Sequence, residues 1–405
     1  MLNYDVIVCG AGPAGTTAAW MAAKTGLKVA LIEKYPLPRH KTCGGGMPAV
    51  LGNLLPDLVP EAVVACQVNY MRHTWKFDHP ILGAINPPGS EPELKLWMVQ
   101  RSVFDNALAR QAAQAGADLR DGLAVKSLEM DSHGVIVRAR SFKSDSGIGG
   151  GEFVAYAPYV IGADGANGIT AKIANLRRER TMALAMEVEY PYNWTQDHPK
   201  DLRPDVIHLE YGAIPKGYGW IFPKEDHLNV GAGLFFRPDR RDCRSDHSIR
   251  AQLQQAIFQY LDFMDISYNP ELVRFHGHPL PIWDGREKCH TPDGKILLAG
   301  DAAGLINPFF GDGILHAVKS GMLAAECVAT NTTSSYTQRI HHEFAANFDA
   351  ALQMARFYYQ WPHFCYQQIV TRPTATHIAA RLLYGETPFH QIAERMIGKM
   401  RSLMF

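Results

Sequence analysis

The chain lacks a charge surplus. Lys plus Arg number 40 and Asp plus Glu number 40 over 405 residues, a formal net charge of zero. Proteins that coat nucleic-acid phosphates carry a basic excess, so a nucleic-acid partner is not expected. Cysteine is sparse and scattered: Cys9, Cys43, Cys66, Cys243, Cys289, Cys327 and Cys365 form an odd set with no C-x-x-C pair. A disulfide framework, a structural zinc site and a cysteine-ligated cluster are all poorly supported, and no metal is expected. No run reaches the ~18 uninterrupted apolar residues that span a bilayer. The first residues show neither a basic n-region nor a small-residue cleavage site. The expectation is a cytoplasmic protein in a reducing interior, soluble or lying on a membrane surface. No internal repeat is visible. With 47% hydrophobic and 20% charged residues there is ample material for a packed core. The length suits about two or three domains at ~150 residues each.

Periodicity organises the chain. Asp5 to Cys9 is short, apolar and β-branched, and reads as a buried strand. A glycine turn and an Ala-rich helix to Lys24 follow, Gly26 ends the helix, and Lys28 to Glu33 reads as a second buried strand. Together they make one βαβ unit. Residues 36–48, rich in Gly, Pro and His, read as a long shaped loop. Helical spacing covers Ser102 to Ala115, with Ser102 as the expected cap and Gly116 as the stop. Residues 123–162 alternate like a strand meander, with the Ser- and Gly-rich stretch 144–151 as a loop within it. Strand-like segments cover about 181–234 and 273–282, with a helix at 246–261 between them. Lys295 to Ala299 is another buried strand, followed by a helix from about 311 to 329. Beyond 335 the chain reads as helical, with breaks at Pro362, Pro373 and Pro388.

Two glycine turns carry the first chemical signal. Gly10-x-Gly12-x-x-Gly15 sits between strand and helix, and Glu33 ends the next strand. Gly10 permits the tight turn, Gly12 lets a pyrophosphate approach the backbone, and Gly15 lets helix and strand pack closely. The helix N-terminus offers free N–H groups to phosphates, and Glu33 accepts hydrogen bonds from ribose hydroxyls. That turn does not separate FAD from NAD. A second turn does: Gly300-Asp301, Gly304, Pro308, Gly311, Gly313 and Ile314 lie nearly 300 residues downstream, where a two-part cofactor with a long polyol link needs them.

With these motifs the sequence resembles the FAD-dependent family that includes p-hydroxybenzoate hydroxylase, flavin halogenases and geranylgeranyl reductases. The resemblance implies an α/β fold: a Rossmann-type FAD-binding domain interleaved with a strand-rich substrate domain, plus a helical C-terminal tail. The expected boundaries are 1–60, 95–180 and 285–330 for the FAD domain, 61–94 and 181–284 for the substrate domain, and 331–405 for the tail. It implies FAD contacts at Gly10, Gly12, Pro13, Ala14, Gly15, Glu33 and Lys34. Further contacts are implied at Arg101, Ala124, Asp164, Gly165, Gly300 and Asp301, the last toward the ribityl chain, and at Gly311, Gly313 and Ile314 toward the flavin. The Gly162-Ala-Asp164-Gly165 segment departs from the family's third motif: Gly168 stands for Ser and Lys172 for Arg, which puts any nicotinamide contact there in doubt.

Two more segments resemble the geranylgeranyl reductase branch. Lys41-Thr-Cys43-Gly44-Gly45-Gly46 is similar to its K-x-C-G-G-G loop, and Tyr218-Gly-Trp220-Ile-Phe222-Pro223 to its Y-x-W-x-F-P motif. The resemblance implies an FAD-dependent reductase that saturates isoprenoid double bonds, with NADPH or a ferredoxin as reductant, between which the sequence does not choose. Cys43, Tyr218 and Trp220 are the catalytic candidates. Cys43, Gly44 and Gly45 are expected at the cofactor, and Gly46, Tyr218, Trp220, Phe222 and Pro308 at the substrate. An isolated alkene has no carbonyl to take up charge, so cation character is expected, and aromatic faces suit it. Strand alternation puts Tyr218, Trp220 and Phe222 on one side, as a pocket wall or as core. Cys43 reads either as a proton donor or as a packing residue. An FAD monooxygenase or halogenase, and flavin-only electron transfer to a quinone, are the alternative activities. The arginines at 177, 178 and 180 read as a solvated helix end, and those at 237–244 as a solvated loop. His276 and His278 share one strand face without a third metal ligand. The aromatic stretch 357–366 is left open among core, lipid tunnel and membrane interface, so peripheral membrane contact stays open, as does the oligomeric state.

Overall fold

The structure, a computed structural model, describes residues 1–141, 152–176, 180–195, 202–235 and 246–394. The Gly-rich stretch 144–151, Arg177 and Arg178, and the arginines at 237–244 lie outside the described residues.

A five-stranded parallel sheet runs in the order Ile296–Leu298, Tyr159–Gly162, Val6–Cys9, Val29–Ile32, Asp118–Arg120. Val6–Cys9 and Val29–Ile32 are buried at every position, as strands covered on both faces must be. Alternation splits their side chains between two cores. Val6, Val8, Val29 and Leu31 pack with Ala14 and Ala18 of helix Pro13–Lys24 and with Ala324 of helix Ile314–Ala329. Ile7, Cys9, Ala30 and Ile32 pack under the meander Leu123–Met130, Val135–Ser141, Glu152–Ala157.

A seven-stranded sheet gathers strands from two distant stretches, in the order His276–Pro281, Met182–Pro191, His227–Leu234, Gly217–Pro223, Val206–Tyr211, Tyr70–Trp75, Asp78–Ala84. All its pairs are antiparallel except Tyr70–Trp75 with Val206–Tyr211. Helix Asp246–Phe263 closes one face, burying Leu253, Ile257 and Tyr260 against Ile221 and Val230. The opposite face looks into the cavity described below. A small sheet, Gly46–Pro48, Leu96–Val99 and Val64–Val68, joins the two large ones.

The tail is helical: Tyr336–Gln360, Pro362–Cys365, a π-turn at Tyr366–Val370, and Ala375–Tyr384. Helix Ala375–Tyr384 lies on strand Asp78–Ala84, and its Thr376 Oγ1 meets His73 Nε2 of the neighbouring strand Tyr70–Trp75 at 3.0 Å. Among the described residues, no helix is long and apolar enough to cross a membrane.

Two local expectations need correction. Helix Arg101–Gln114 starts one residue before Ser102, with Gln100 at the N-cap and no side-chain cap bond. A buried ion pair anchors that first turn instead: Arg101 Nε and an Nη donate to the two Asp105 oxygens at 2.8 and 2.9 Å. Arg180 is not solvated. It is half-buried and donates to the Ala302 carbonyl at 2.8 Å, bracing the turn that carries Asp301.

Candidate active site

A single cavity of about 1090 Å³ runs from the first glycine turn, across the face of the seven-stranded sheet, to the tail helices.

At its nucleotide end, Gly10 has φ +102°, and a Cβ there would lie 2.4 Å from the Ala163 carbonyl oxygen, so only glycine fits. Helix Pro13–Lys24 begins with Gly12 at the N-cap, no side chain capping it, and proline at its start. Glu33 is buried. It accepts from the Ala11 amide at 2.8 Å and the Tyr35 amide at 3.1 Å, and pairs with Arg39 at 3.2 Å. Gly12, Pro13, Ala14, Glu33, Lys34 and Ala124 all line the cavity. Gly15 does not, because it lies in the crossing of helix and strand. At the second turn, Gly300, Asp301, Gly311, Gly313 and Ile314 line it too, and helix Ile314–Ala329 likewise starts without a side-chain cap. Burial alone would raise Asp301, but His278, Lys41 and Arg101 hold its carboxyl below the usual range. Asp164, Gly165 and Arg101 complete this end.

These residues fit a flavin dinucleotide. Two helix starts present uncapped amides, and two lining carboxylates, at Asp164 and Asp312, each keep one buried oxygen without a hydrogen-bond partner.

The Cys43 loop sits where the nucleotide end meets the large sheet. The Cys43 amide donates to Glu187 Oε1 at 2.8 Å, and the Gly45 amide approaches Cys43 Sγ at 3.4 Å. Lys224 follows the aromatic motif directly. Its ammonium is buried and donates to the carbonyls of Gly44 at 2.6 Å and Val99 at 3.0 Å, and burial lowers it to about 8. Lys41 Nζ lies 2.8 Å from His278 Nε2. Arg101 and Lys224 are buried and Lys41 is half-buried, so three cations gather around the Cys43 loop. A Cβ on Gly44 would come 2.8 Å from the Phe222 ring, so the loop lies directly against the aromatic wall.

That wall is Tyr218, Trp220 and Phe222, which all line the cavity, with ring centroids 5.9 and 6.1 Å apart in sequence. Their polar handles are occupied: Tyr218 O–H donates to the Phe310 carbonyl at 2.6 Å and Trp220 N–H to Asn229 Oδ1 at 2.8 Å. Burial raises the Tyr218 phenol, so it stays neutral. What these residues leave for a ligand is ring surface. Beyond the wall the lining is mainly apolar, with Met71, Leu96, Met98, Ile207 and Leu209 from the sheets, Tyr359 and Leu382 from the tail, and the buried His73 among them. Gly46 lines the cavity, whereas Pro308 is buried outside the lining.

Sequence reasoning missed Lys224 and the Lys41–His278 contact, and left the tail stretch 357–366 open among core, lipid tunnel and membrane interface. Lys224 carried a signal, standing at the end of the aromatic motif. The tail did not, since apolar helical spacing looks the same facing a core or a channel. The two histidines do not form a metal pair: His276 packs on His40 with ring centroids 4.4 Å apart, while His278 turns to Lys41. His40, Glu187 and Glu189 do bring ligand-type atoms within 4.8 Å of one another, but Glu187 already takes the Cys43 amide and Glu189 pairs with His40.

A two-turn nucleotide cradle opening into an apolar channel defines a flavin-dependent oxidoreductase. The family model described as FAD binding domain matches residues 3–342. The chain is 30% identical to an uncharacterized protein of Methanosarcina barkeri, over 89% of this chain and 84% of that one. It is also 30% identical to a geranylgeranyl diphosphate reductase of Rhodobacter capsulatus, over 80% of this chain and 75% of that one. Among solved structures, a geranylgeranyl bacteriochlorophyll reductase-like protein of Thermoplasma acidophilum superposes with a TM-score of 0.75 at 23% identity, covering 94% of this chain and 96% of that one. The chain belongs to the FAD-binding family and, within it, to the geranylgeranyl reductases, and its cofactor is FAD.

Proposed function

We propose that this protein saturates isolated double bonds of a prenyl chain, carried either on a diphosphate or on a larger lipid, inside the reducing interior of the cell. The observation that carries the reading is continuity: one cavity joins the FAD cradle, the Cys43 loop, the aromatic wall and an apolar channel. Residues 1–60, 95–180 and 285–330 hold the cofactor in this reading, residues 61–94 and 181–284 shape the channel, and the tail closes it.

Bound and reduced, FAD supplies the hydride. The chain's own residues do the rest. Tyr218, Trp220 and Phe222 turn ring faces to the alkene and stabilise the positive charge that develops on its more substituted carbon. The Cys43 thiol holds the proton that the other carbon takes up. Lys224 ties Gly44 to Val99 and so holds Cys43 against the wall. The apolar lining keeps water from the developing cation.

The test is anaerobic incubation of the photoreduced protein with geranylgeranyl diphosphate and, separately, a digeranylgeranyl glycerolipid, followed by mass analysis. A gain of two hydrogens per reduced bond supports the reading. Oxygen-dependent hydroxylation or halogenation with no hydrogen gain, or rapid reduction of a quinone in place of the alkene, overturns it.

A further inference from the structure

Residues that both line the cavity and are exposed mark where it reaches solvent: His40 beside the Cys43 loop, a polar group at the nucleotide end, and a group at the tail that holds all the exposed aliphatic side chains of the lining. At the nucleotide end they are Lys34, Tyr35, Lys126 and Asn167. At the far end they are Phe357, Ile369 and Ile378, together with the polar Gln353, Arg372 and Thr374. The first mouth suits a hydrated nucleotide. The second presents hydrocarbon to solvent.

The segment that carries this second mouth exposes further large apolar side chains among its polar ones. Trp361 is 55% and Phe364 54% exposed, and neither lines the cavity. Five of the thirteen large apolar side chains that the described residues expose are Phe357, Trp361, Phe364, Ile369 and Ile378. Single exposed apolar residues need no explanation, but a set gathered at the rim of an apolar channel does. Charge points the same way. Between Asp349 and Glu386 the chain carries Arg356, Arg372 and Arg381 and no carboxylate, in a protein of zero net charge, and of the three Arg381 pairs with Glu386 at 3.5 Å.

We propose that this face seats the protein on an anionic lipid bilayer, so that a prenyl chain passes from the hydrocarbon phase through the Phe357–Ile369–Ile378 mouth without entering water. The proposal rests on the prenyl reading above for what travels, and on the mouth itself for where. Each methylene exposed to water during transfer costs about fourfold in the equilibrium, so a route that avoids water matters for a long chain. Trp361 and Phe364 would sit at headgroup level, with Arg356 and Arg372 toward anionic phosphates. No described helix is fit to span the bilayer, so the contact is peripheral.

The experiment is flotation of the full-length holoenzyme with vesicles of phosphatidylcholine alone and of phosphatidylcholine with phosphatidylglycerol in a two-to-one ratio. Wild type is expected to float with the anionic vesicles and to be released several-fold by added salt. The double variant Trp361→Gln, Phe364→Gln should lower the bound fraction at least about tenfold. It should keep wild-type turnover on detergent-dispersed prenyl substrate, since neither side chain lines the cavity. Quenching of tryptophan emission by brominated acyl chains, lost in Trp361→Phe, locates the contact independently. Equal flotation of wild type and double variant with undiminished quenching in Trp361→Phe overturns the proposal. So does binding that vanishes only when residues 395–405 are removed, or a self-associated wild type that never floats and that the double variant dissociates. A protein that floats as described but reduces no prenyl substrate overturns the reductase reading and leaves the docking face supported.

Discussion

Replacing Lys224 by methionine tests the link between the aromatic motif and the Cys43 loop. The substitution keeps the length of the side chain but removes both hydrogen bonds from the ammonium, to Gly44 and Val99. Two carbonyls left without a donor cost about 1–3 kcal/mol each. Against that, the wild-type protein bears the cost of burying a charge. Lys224 falls from its ordinary 10.5 to about 8, and 2.5 units correspond to about 3 kcal/mol. The two effects nearly offset at pH 7, so the variant's stability is expected to fall between a gain of about 1 kcal/mol and a loss of about 3 kcal/mol there.

The pH dependence is the sharper test. Between pH 8 and 10.5 the unfolded state keeps the Lys224 proton while the folded state releases it, so the unfolded state binds more protons and wild-type stability rises with pH. A neutral amine still has two N–H groups for two carbonyls, so the loop stays tied. The methionine variant has no such titration. Its deficit relative to wild type should therefore grow by about 2–3 kcal/mol from pH 7 to pH 10, because groups common to both proteins cancel in the difference. Urea unfolding of both proteins at the two pH values reads this directly. A wild-type minus variant difference that stays constant across that range refutes the burial assigned to Lys224.

Asp301→Ala should weaken FAD binding by about 1.5–3 kcal/mol through loss of a charged acceptor, measured by flavin fluorescence on titrating the apoprotein. Unchanged affinity would place the polyol elsewhere. Cys43→Ala should fold and bind FAD but slow alkene reduction by about a hundredfold or more with flavin reduction unaffected, and stopped-flow measurement separates the two steps. Wild-type rates in both would make Cys43 a packing residue. Trp220→Ala should widen the channel and change which double bonds are reduced; a loss of about 3–5 kcal/mol with an unaltered product pattern would instead make it core.

Much of the nucleotide half was legible because its rules are local. Gly10 needs a positive φ and an open approach to Ala163, Gly12 a helix start, and Glu33 a strand end, and each demand leaves its mark within a few residues. Alternation likewise placed Tyr218, Trp220 and Phe222 on one side, and the structure shows that side to be a cavity wall. Helix starts were less legible: Ser102 looked like a cap, yet the Arg101–Asp105 pair fixes that end from within the buried core.

Contacts between distant segments were not legible at all. The pairing of Tyr70–Trp75 with Val206–Tyr211 brings together residues more than 130 positions apart, and nothing in either strand specifies its neighbour. Lys224 reads as an ordinary charge at a strand end until the small sheet brings Val99 and the Cys43 loop to its ammonium. The tail shows the limit most clearly. Its helical period follows from 3.6 residues per turn, a property of the backbone that side-chain spacing reports. Which face meets core, channel or solvent depends on what lies opposite, so only the packed chain turns Phe357, Ile369 and Ile378 into the rim of a channel.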